Sequence, residues 1–302
     1  MPSPFFRTIL RVETDRAAPR AHLGLPLGFA RSALFSVQER TGLTLQRVKL
    51  PAGPGIELTY TGPRLHQQHN LVWQSVVALL LEQHAASGAP ELEGQQQLVT
   101  NRRKLLDAAG KRDDTSRTMR CWVWDTLTEL QAGQIELRTK RQRFSDSLLG
   151  ALTMDETTGA ISIAIEARMI DLLRDEVAVI NLKRKATLGR SQLALWLHDF
   201  ISTQSNDKAF PWPLKELHRL CGSSLALPQF RQRLRTAAAR LTKGADPLLT
   251  AWHVDQHDRL VYTKIRTLVI LLPDQAKASQ LAASRHDQEV EAAKAQRRRV
   301  LL

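Results

Sequence analysis

The sequence predicts an α+β protein built as two tandem winged helix-turn-helix domains, and three observations carry that expectation. Residues 183–262 run in the order helix, helix, tight turn, arginine-rich helix and two strands, the order of a winged helix-turn-helix. A second helix-turn-helix pattern lies upstream, so the unit recurs at the level of fold, without residue-by-residue identity between the halves. The third is bulk. A chain of 302 residues makes two domains of ordinary size, and a net charge of +13 with a pI near 10.3 calls for nucleic acid or an anionic surface as partner.

Taken in order, residues 1–28 carry proline and arginine with weak periodicity and are expected to form a flexible lead. The first winged-helix domain is expected over residues 29–182 and opens on a short apolar-ended element, Ala30–Phe35. Leu45–Leu50 and Ile56–Tyr60 alternate with period two across Pro51–Gly55, a hairpin signature. From Leu65 to about Ala85, the spacing of Leu71, Val72, Trp73, Val76, Leu79 and Leu80 predicts a long amphipathic helix, ended by Gly88–Pro90. Val99–Gly110 reads as a short helix closed by glycine, and Asp113–Leu130 as the recognition helix that follows it. Its acidic start suits the positive end of the helix dipole. Met119, Val123, Leu127 and Leu130 face the core, while Ser116, Arg117 and Arg120 reach outward near the end that meets base edges. Trp122 and Trp124 argue for packing as the competing use of this helix. Gln134–Arg143 is a strand that passes into a basic run. Ser147–Leu152 and Ala160–Ile165 then pair across Asp155–Gly159. That makes an elaborate wing, from which Arg138, Lys140, Arg141 and Arg143 would touch phosphates. Ala167–Val177 is read as a linking helix.

The second winged-helix domain is expected over residues 183–272 and opens on a basic run, Lys183, Arg184 and Lys185, assigned to DNA. An apolar-striped helix, Gln192–Ile201, and a shorter one, Pro213–Gly222, lead to a tight turn at Gly222–Ser224. In Pro228–Leu241, the residues Phe230, Leu234, Ala237, Ala238 and Leu241 recur at steps of three and four and form the inward stripe. Gln229, Arg231, Gln232, Arg233, Arg235, Thr236 and Arg240 are left outside, with no carboxylate among them. A merely solvated face mixes signs, because opposite charges at i, i+4 support the helix. A face that is all positive fits a polyanion, so these glutamines and arginines are the expected DNA contacts. Leu249–Val254 and Leu260–Lys264 form the wing, and residues 273–302 a charged tail ending in Arg297–Arg299.

The sequence also excludes function classes. Cys121 and Cys221 lie far apart without metal-ligand spacing and are expected as small buried hydrophobes in a reducing cytosol. No apolar run approaches the ~20 residues of a membrane span, and the N-terminus lacks a signal peptide, so a soluble cytoplasmic protein is expected. No phosphate-binding loop is present, since Gly110–Lys111 lacks both the upstream glycine and the hydroxyl residue. His253–Asp255 lacks the second histidine of a rolling-circle nickase, and His66 with His69 has no further ligand nearby. No enzyme, metal or cofactor is expected.

Several short motifs carry a resemblance. Ala30–Phe35, Tyr60–Gly62 followed by Leu65–Gln74, Ser191–Leu197 and Leu217–Gly222 resemble, in order, motifs of the TrfA-type plasmid replication initiators, over roughly residues 29–265. The Leu65–Gln74 passage is less acidic than in that family. The resemblance implies a tandem winged-helix initiator that binds directly repeated sites (iterons) in duplex origin DNA and opens an adjacent AT-rich region, which leaves room for single-stranded DNA as a further ligand. It also implies host DnaA, the replicative helicase and the sliding clamp as partners, and exchange between a self-dimer and DNA-binding monomers. Within it, Leu34 and Phe35 match the Leu-Phe element that docks on the clamp, with Gln192–Trp196 as the alternative segment. The competing function is a winged-helix transcriptional repressor. The two separate by whether origin DNA is opened.

Overall fold

Two three-stranded sheets show the repeat more plainly than the residues do. In a computed structural model, the described residues are 22–38, 42–87, 92–111, 116–139, 143–174, 177–204 and 211–265, all within one contact unit, Ala18–Arg266.

In the second half the stripe and turn signals give the elements they predict. Helices Gln192–Ser202, Leu214–Leu220 and Leu227–Leu241 are accompanied by strands Trp212–Pro213, Leu249–Val254 and Arg259–Lys264. In chain order across the whole molecule these are α7, α8 and α9, and β10, β11 and β12. The short β10 pairs with β12, and β12 with β11, which is winged-helix topology. Gly222 makes the turn between α8 and α9. Its φ of 65° favours glycine, and an added Cβ would meet the Cβ atoms of Ala33 and Ser36 at 3.0 and 3.1 Å. Pro228 sits in the first turn of α9, where its missing N–H costs nothing. The core joins Trp196, Leu197 and Phe200 of α7 to Leu214, Leu217 and Leu220 of α8 and to the expected stripe of α9. Trp196 stacks on Phe200 at 4.9 Å between ring centroids. Each such buried side chain contributes roughly 1.5–3 kcal/mol.

The first half repeats the plan with an insertion. Strand β4 (Gln96–Asn101), helix α3 (Arg102–Ala108), helix α4 (Arg117–Gln131) and strands β7 (Leu152–Met154) and β8 (Ala160–Ile165) follow the long helix α2 (Gln67–Ser87). The sheet order is β4-β8-β7, matching β10-β12-β11. Both wing turns are closed the same way. Asp155 Oδ1 accepts from the amides of Thr157 and Thr158 at 2.8 and 3.2 Å, and Asp255 Oδ1 from those of His257 and Arg259 at 2.9 and 3.0 Å. The basic hairpin β5 (Gln134–Arg138) and β6 (Arg143–Ser147) is therefore not the wing. It is inserted between α4 and β7 and completes a four-stranded sheet, β2-β3-β5-β6, with β2 (Thr44–Leu50) and β3 (Glu57–Pro63).

Three other expectations are corrected. Val99–Asn101 is strand, not helix. Leu98 and Thr100 are buried and Gln97 and Val99 exposed, a period of two, and the Asn101 side chain then caps α3 by accepting from the Lys104 amide at 3.0 Å. The expected strand Ser147–Leu152 is instead the end of β6 and a buried pair, Leu148 and Leu149, before the short β7. The flexible lead fails for its last residues. Strand β1 (His22–Pro26) pairs antiparallel with β9 (Val177–Asn181), burying Leu23 and Leu25, and helix α1 (Leu27–Ala30) follows; residues 1–21 lie outside the described residues. The linking helix is α5 (Ala167–Arg174), and β9 runs directly into α6 (Leu182–Ala186).

Residues 31–38 pass between the halves and bond to both. Ala33 and Ser36 amides donate to the carbonyls of Pro51 and Leu65 on one side, and the Val37 amide to that of Cys221 on the other. Arg31 Nε donates to Thr203 Oγ1 at 2.8 Å, Trp196 Nε1 to the Ser32 carbonyl at 3.1 Å and Gln38 Nε2 to the Gly222 carbonyl at 2.7 Å. This segment staples the two winged helices together.

Candidate nucleic-acid interface

Helix α9 presents the surface its sequence promises. Phe230, Leu234, Ala237, Ala238 and Leu241 are buried; Gln229, Gln232, Arg233, Arg235 and Arg240 are exposed. Helical spacing sorts that face further. Gln232 and Thr236 lie at its apex, opposite the buried stripe. Arg231 and Arg235 lie on one flank, and Arg233 and Arg240 on the other. An amide and a hydroxyl at the apex, with guanidinium groups on both flanks, match a groove whose floor is base edges and whose walls are phosphates.

The arginines are not equivalent. Arg231 is ion-paired with Asp258, the left-handed residue (φ 56°) in the turn between β11 and β12, and the two side chains are 41% and 45% exposed. Arg240 Nη1 donates to the Leu188 carbonyl at 3.3 Å. Among the described residues, Arg233 and Arg235 have no carboxylate partner. An exposed pair such as Arg231–Asp258 is worth about 0–1 kcal/mol, so a phosphate can displace the carboxylate. Asp258→Asn, which keeps a residue tolerant of the left-handed region, is expected to raise affinity for random-sequence duplex. It should also steepen the salt dependence by about one phosphate contact. The same substitution in an Arg231→Ala background should change neither. A salt titration of all four proteins checks this.

Of the basic run that opens the second domain, only Lys183 is exposed. Arg184 is anchored to Asp246 at 2.5 Å, with its side chain 10% exposed. Lys185 is fully buried, its Nζ 2.5 Å from Asp199 Oδ2 and 2.9 Å from Gln74 Oε1. Both are corrections, because a buried cation already held by a carboxylate cannot reach a phosphate.

In the first half, Ser116 is the N-cap of α4, accepting from the Met119 amide at 3.2 Å. The backbones of Arg117 and Arg120 lie in the first turn of α4. Their side chains, all of Lys140 and Arg141, and the acidic lead Asp113–Asp114 lie outside the described residues. Arg138 and Arg143 are exposed, on the inserted sheet, each near an acid: Arg138 with Glu57 at 3.7 Å and Arg143 with Glu136 at 4.0 Å. The true wing turn carries Asp155 and Glu156, poor ligands for phosphate. Arg103 and Lys104, not among the expected contacts, are also exposed, on α3, the helix that in this motif crosses the DNA backbone. Their signal was a cationic pair opposite Leu105 and Leu106.

Cys121 is exposed, against expectation; Cys221 is buried, and burial pushes its thiol up to about 12. A thiol reagent is therefore expected to modify Cys121 and spare Cys221 in the native protein. Cys121 lies one helical turn from Arg117 on α4, so bound duplex should slow its modification. Mass-spectrometric labelling rates with and without DNA read both outcomes, and an unchanged rate would take α4 out of the groove.

The clamp expectation does not survive. Leu34 and Phe35 are 2% and 1% exposed, in the core between the halves, and the Phe35 ring meets Phe29 edge-on at 6.2 Å. Trp196 of the alternative segment is equally buried, and Gln192 Oε1 accepts from the Gln67 amide at 3.0 Å. Side chains committed to a core cannot fill a partner's groove.

Behind the helices lies a buried polar cluster. Asp199 Oδ2 accepts from Lys185, from Asn70 Nδ2 at 2.9 Å and from Gln74 Nε2 at 3.2 Å, and Oδ1 lies 3.1 Å from His198 Nδ1. Burial opposes its charge, but Lys185 and His198 outweigh that and hold the carboxyl below the usual range. Burial lowers the Lys185 ammonium, with Asp199 offsetting part of the shift. Among the described residues, no group of three or more His, Cys, Asp or Glu is placed to hold a metal, and no helix is long and apolar enough to cross a membrane.

The fold defines a tandem winged-helix protein, and the outer face of α9 is cationic. Domains 2 and 3 of RctB share the fold at a TM-score of 0.54 and 13% identity, the match covering 80% of this chain and 99% of that one. A second structure of those domains, covering residues 155–483 of RctB, aligns at 0.45 and 10% identity, over 77% and 95%. The likeness is one of fold and does not single out the TrfA-type family. No family model matches the sequence, and no curated protein matches it.

Proposed function

We propose that this protein is a replication initiator: a binding and assembly protein without chemistry of its own, whose two winged helices read duplex origin DNA. The observation that carries the proposal is the outer face of α9, which bears no acidic residue of its own and on which Arg233 and Arg235 are exposed without a carboxylate partner among the described residues, set in a fold that repeats the same unit once upstream. The fold likeness to domains 2 and 3 of RctB supports the tandem winged-helix architecture that this role uses. In this role the chain binds iterons at a plasmid origin, promotes opening of an adjacent AT-rich region and brings in DnaA and the helicase. It reaches the sliding clamp through a surface other than the buried Leu34 and Phe35.

Selection of duplexes from a random pool, followed by footprinting and permanganate probing, tests this. Recovered sites should protect at regular intervals where they occur as direct repeats, and neighbouring AT-rich DNA should become permanganate-reactive once host DnaA is added. A single protected site with no opening would mark a transcriptional repressor. No recovered site would remove DNA binding altogether.

A further inference from the structure

The cluster around Asp199 is buried away from the outer face of α9, yet it joins the two winged helices. Asn70 and Gln74 stand one turn apart on α2 of the first unit, Asp199 lies on α7 of the second, and Lys185 lies on α6 between them. We infer that this cluster is a spacing gauge. It holds the second recognition helix at one orientation to the first and thereby sets the separation and rotational phase of the two DNA segments the chain accepts. The inference rests on the reading of the chain as a two-headed duplex binder.

Apolar surfaces tolerate small slips and repacking. A buried carboxylate does not, because each donor must stay within hydrogen-bond reach or a charge is left uncompensated. Three side chains from two other helices converge on a single oxygen, Asp199 Oδ2. Any rotation of α7 against α2 would break several of these bonds at once. Asn70 Oδ1 and His198 Nε2, both buried, find no hydrogen-bond partner among the described residues. The staple at residues 31–38 fixes where the halves meet. The cluster fixes their angle.

On duplex DNA each added base pair turns the next site by about a tenth of a turn, so an angular constraint reads out as a spacing preference. A duplex selected by the wild-type chain is rebuilt with its two half-sites moved apart one base pair at a time, and affinities are measured for Asp199→Asn beside wild type. The variant is expected to bind an isolated half-site within twofold of wild type. Its preference for the selected spacing over spacings one to three base pairs away should fall at least tenfold. If Asp199→Asn does not fold, the Lys185→Met/Asp199→Leu double variant, which leaves no lone charge, is read in the same assay. A spacing profile superimposable on wild type overturns the inference, as does half-site affinity falling in step with the paired-site affinity. Should the wild-type chain select no duplex, the underlying reading falls with it, an outcome distinct from an unchanged profile.

Discussion

Replacing Arg233 and Arg235 together with alanine is expected to weaken binding to a selected duplex by a hundredfold or more. These two guanidinium groups lie on opposite flanks of α9, exposed and without carboxylate partners among the described residues. Each is placed to meet one phosphate wall, and a hydrogen bond to a charged group contributes about 1.5–3 kcal/mol. The loss should be even across sequences, and the slope of log affinity against log salt should fall by about 0.9 for each contact removed. Gln232→Ala should behave differently. At the apex it is placed for bidentate contact with a base edge, and its removal should relax preference at one position by about 1–3 kcal/mol while leaving the salt slope alone. Arg143→Ala should do least, because its side chain stands on the inserted sheet near Glu136. Filter binding across four salt concentrations distinguishes all three. A double variant with unchanged affinity and slope would remove α9 from the groove.

What the sequence made legible and what it hid follow from the range of the forces involved. The α9 stripe was readable because Phe230, Leu234, Ala237, Ala238 and Leu241 repeat at helical spacing and its outer face holds no acid, both local facts. The same logic, applied strictly, would have placed Cys121 outside, since Val123, Leu127 and Leu130 already fill the inward stripe of α4. Other features depend on partners far along the chain. Lys183, Arg184 and Lys185 look alike as a run of cations; only Asp199 and Asp246, supplied by later elements, decide that two of them are captured. That the basic hairpin β5–β6 belongs with β2–β3 rather than to the wing is a matter of strand pairing, which no local pattern encodes. One non-local feature did leave a trace. Gln67, Asn70 and Gln74 repeat at helical spacing on the buried side of α2, and Asp199 interrupts the apolar run of α7. Polar groups so placed must find one another or remain unpaired.

The Leu34→Ala/Phe35→Ala variant separates a core segment from a docking peptide by a large expected loss of stability. Were these side chains a surface motif, the variant would fold normally, bind DNA and lose only a partner. Their burial, with Phe35 against Phe29 and the Phe35 carbonyl accepting from Gln67 Nε2 at 2.5 Å, predicts otherwise. Truncating a buried leucine costs about 2–5 kcal/mol and a buried phenylalanine about 3–5, through lost transfer energy and the cavity left behind. The two residues are neighbours, so their costs need not add. Even the larger single value is comparable with the whole stability of a typical domain, about 5–15 kcal/mol. Because the segment bonds to both winged helices, the loss should loosen the joint between them as well as the core. Urea unfolding followed by circular dichroism should show a midpoint far below wild type, or no cooperative transition, and DNA binding should disappear over the same range. An unchanged midpoint with full DNA binding would return Leu34 and Phe35 to the surface and reopen their role in docking a partner.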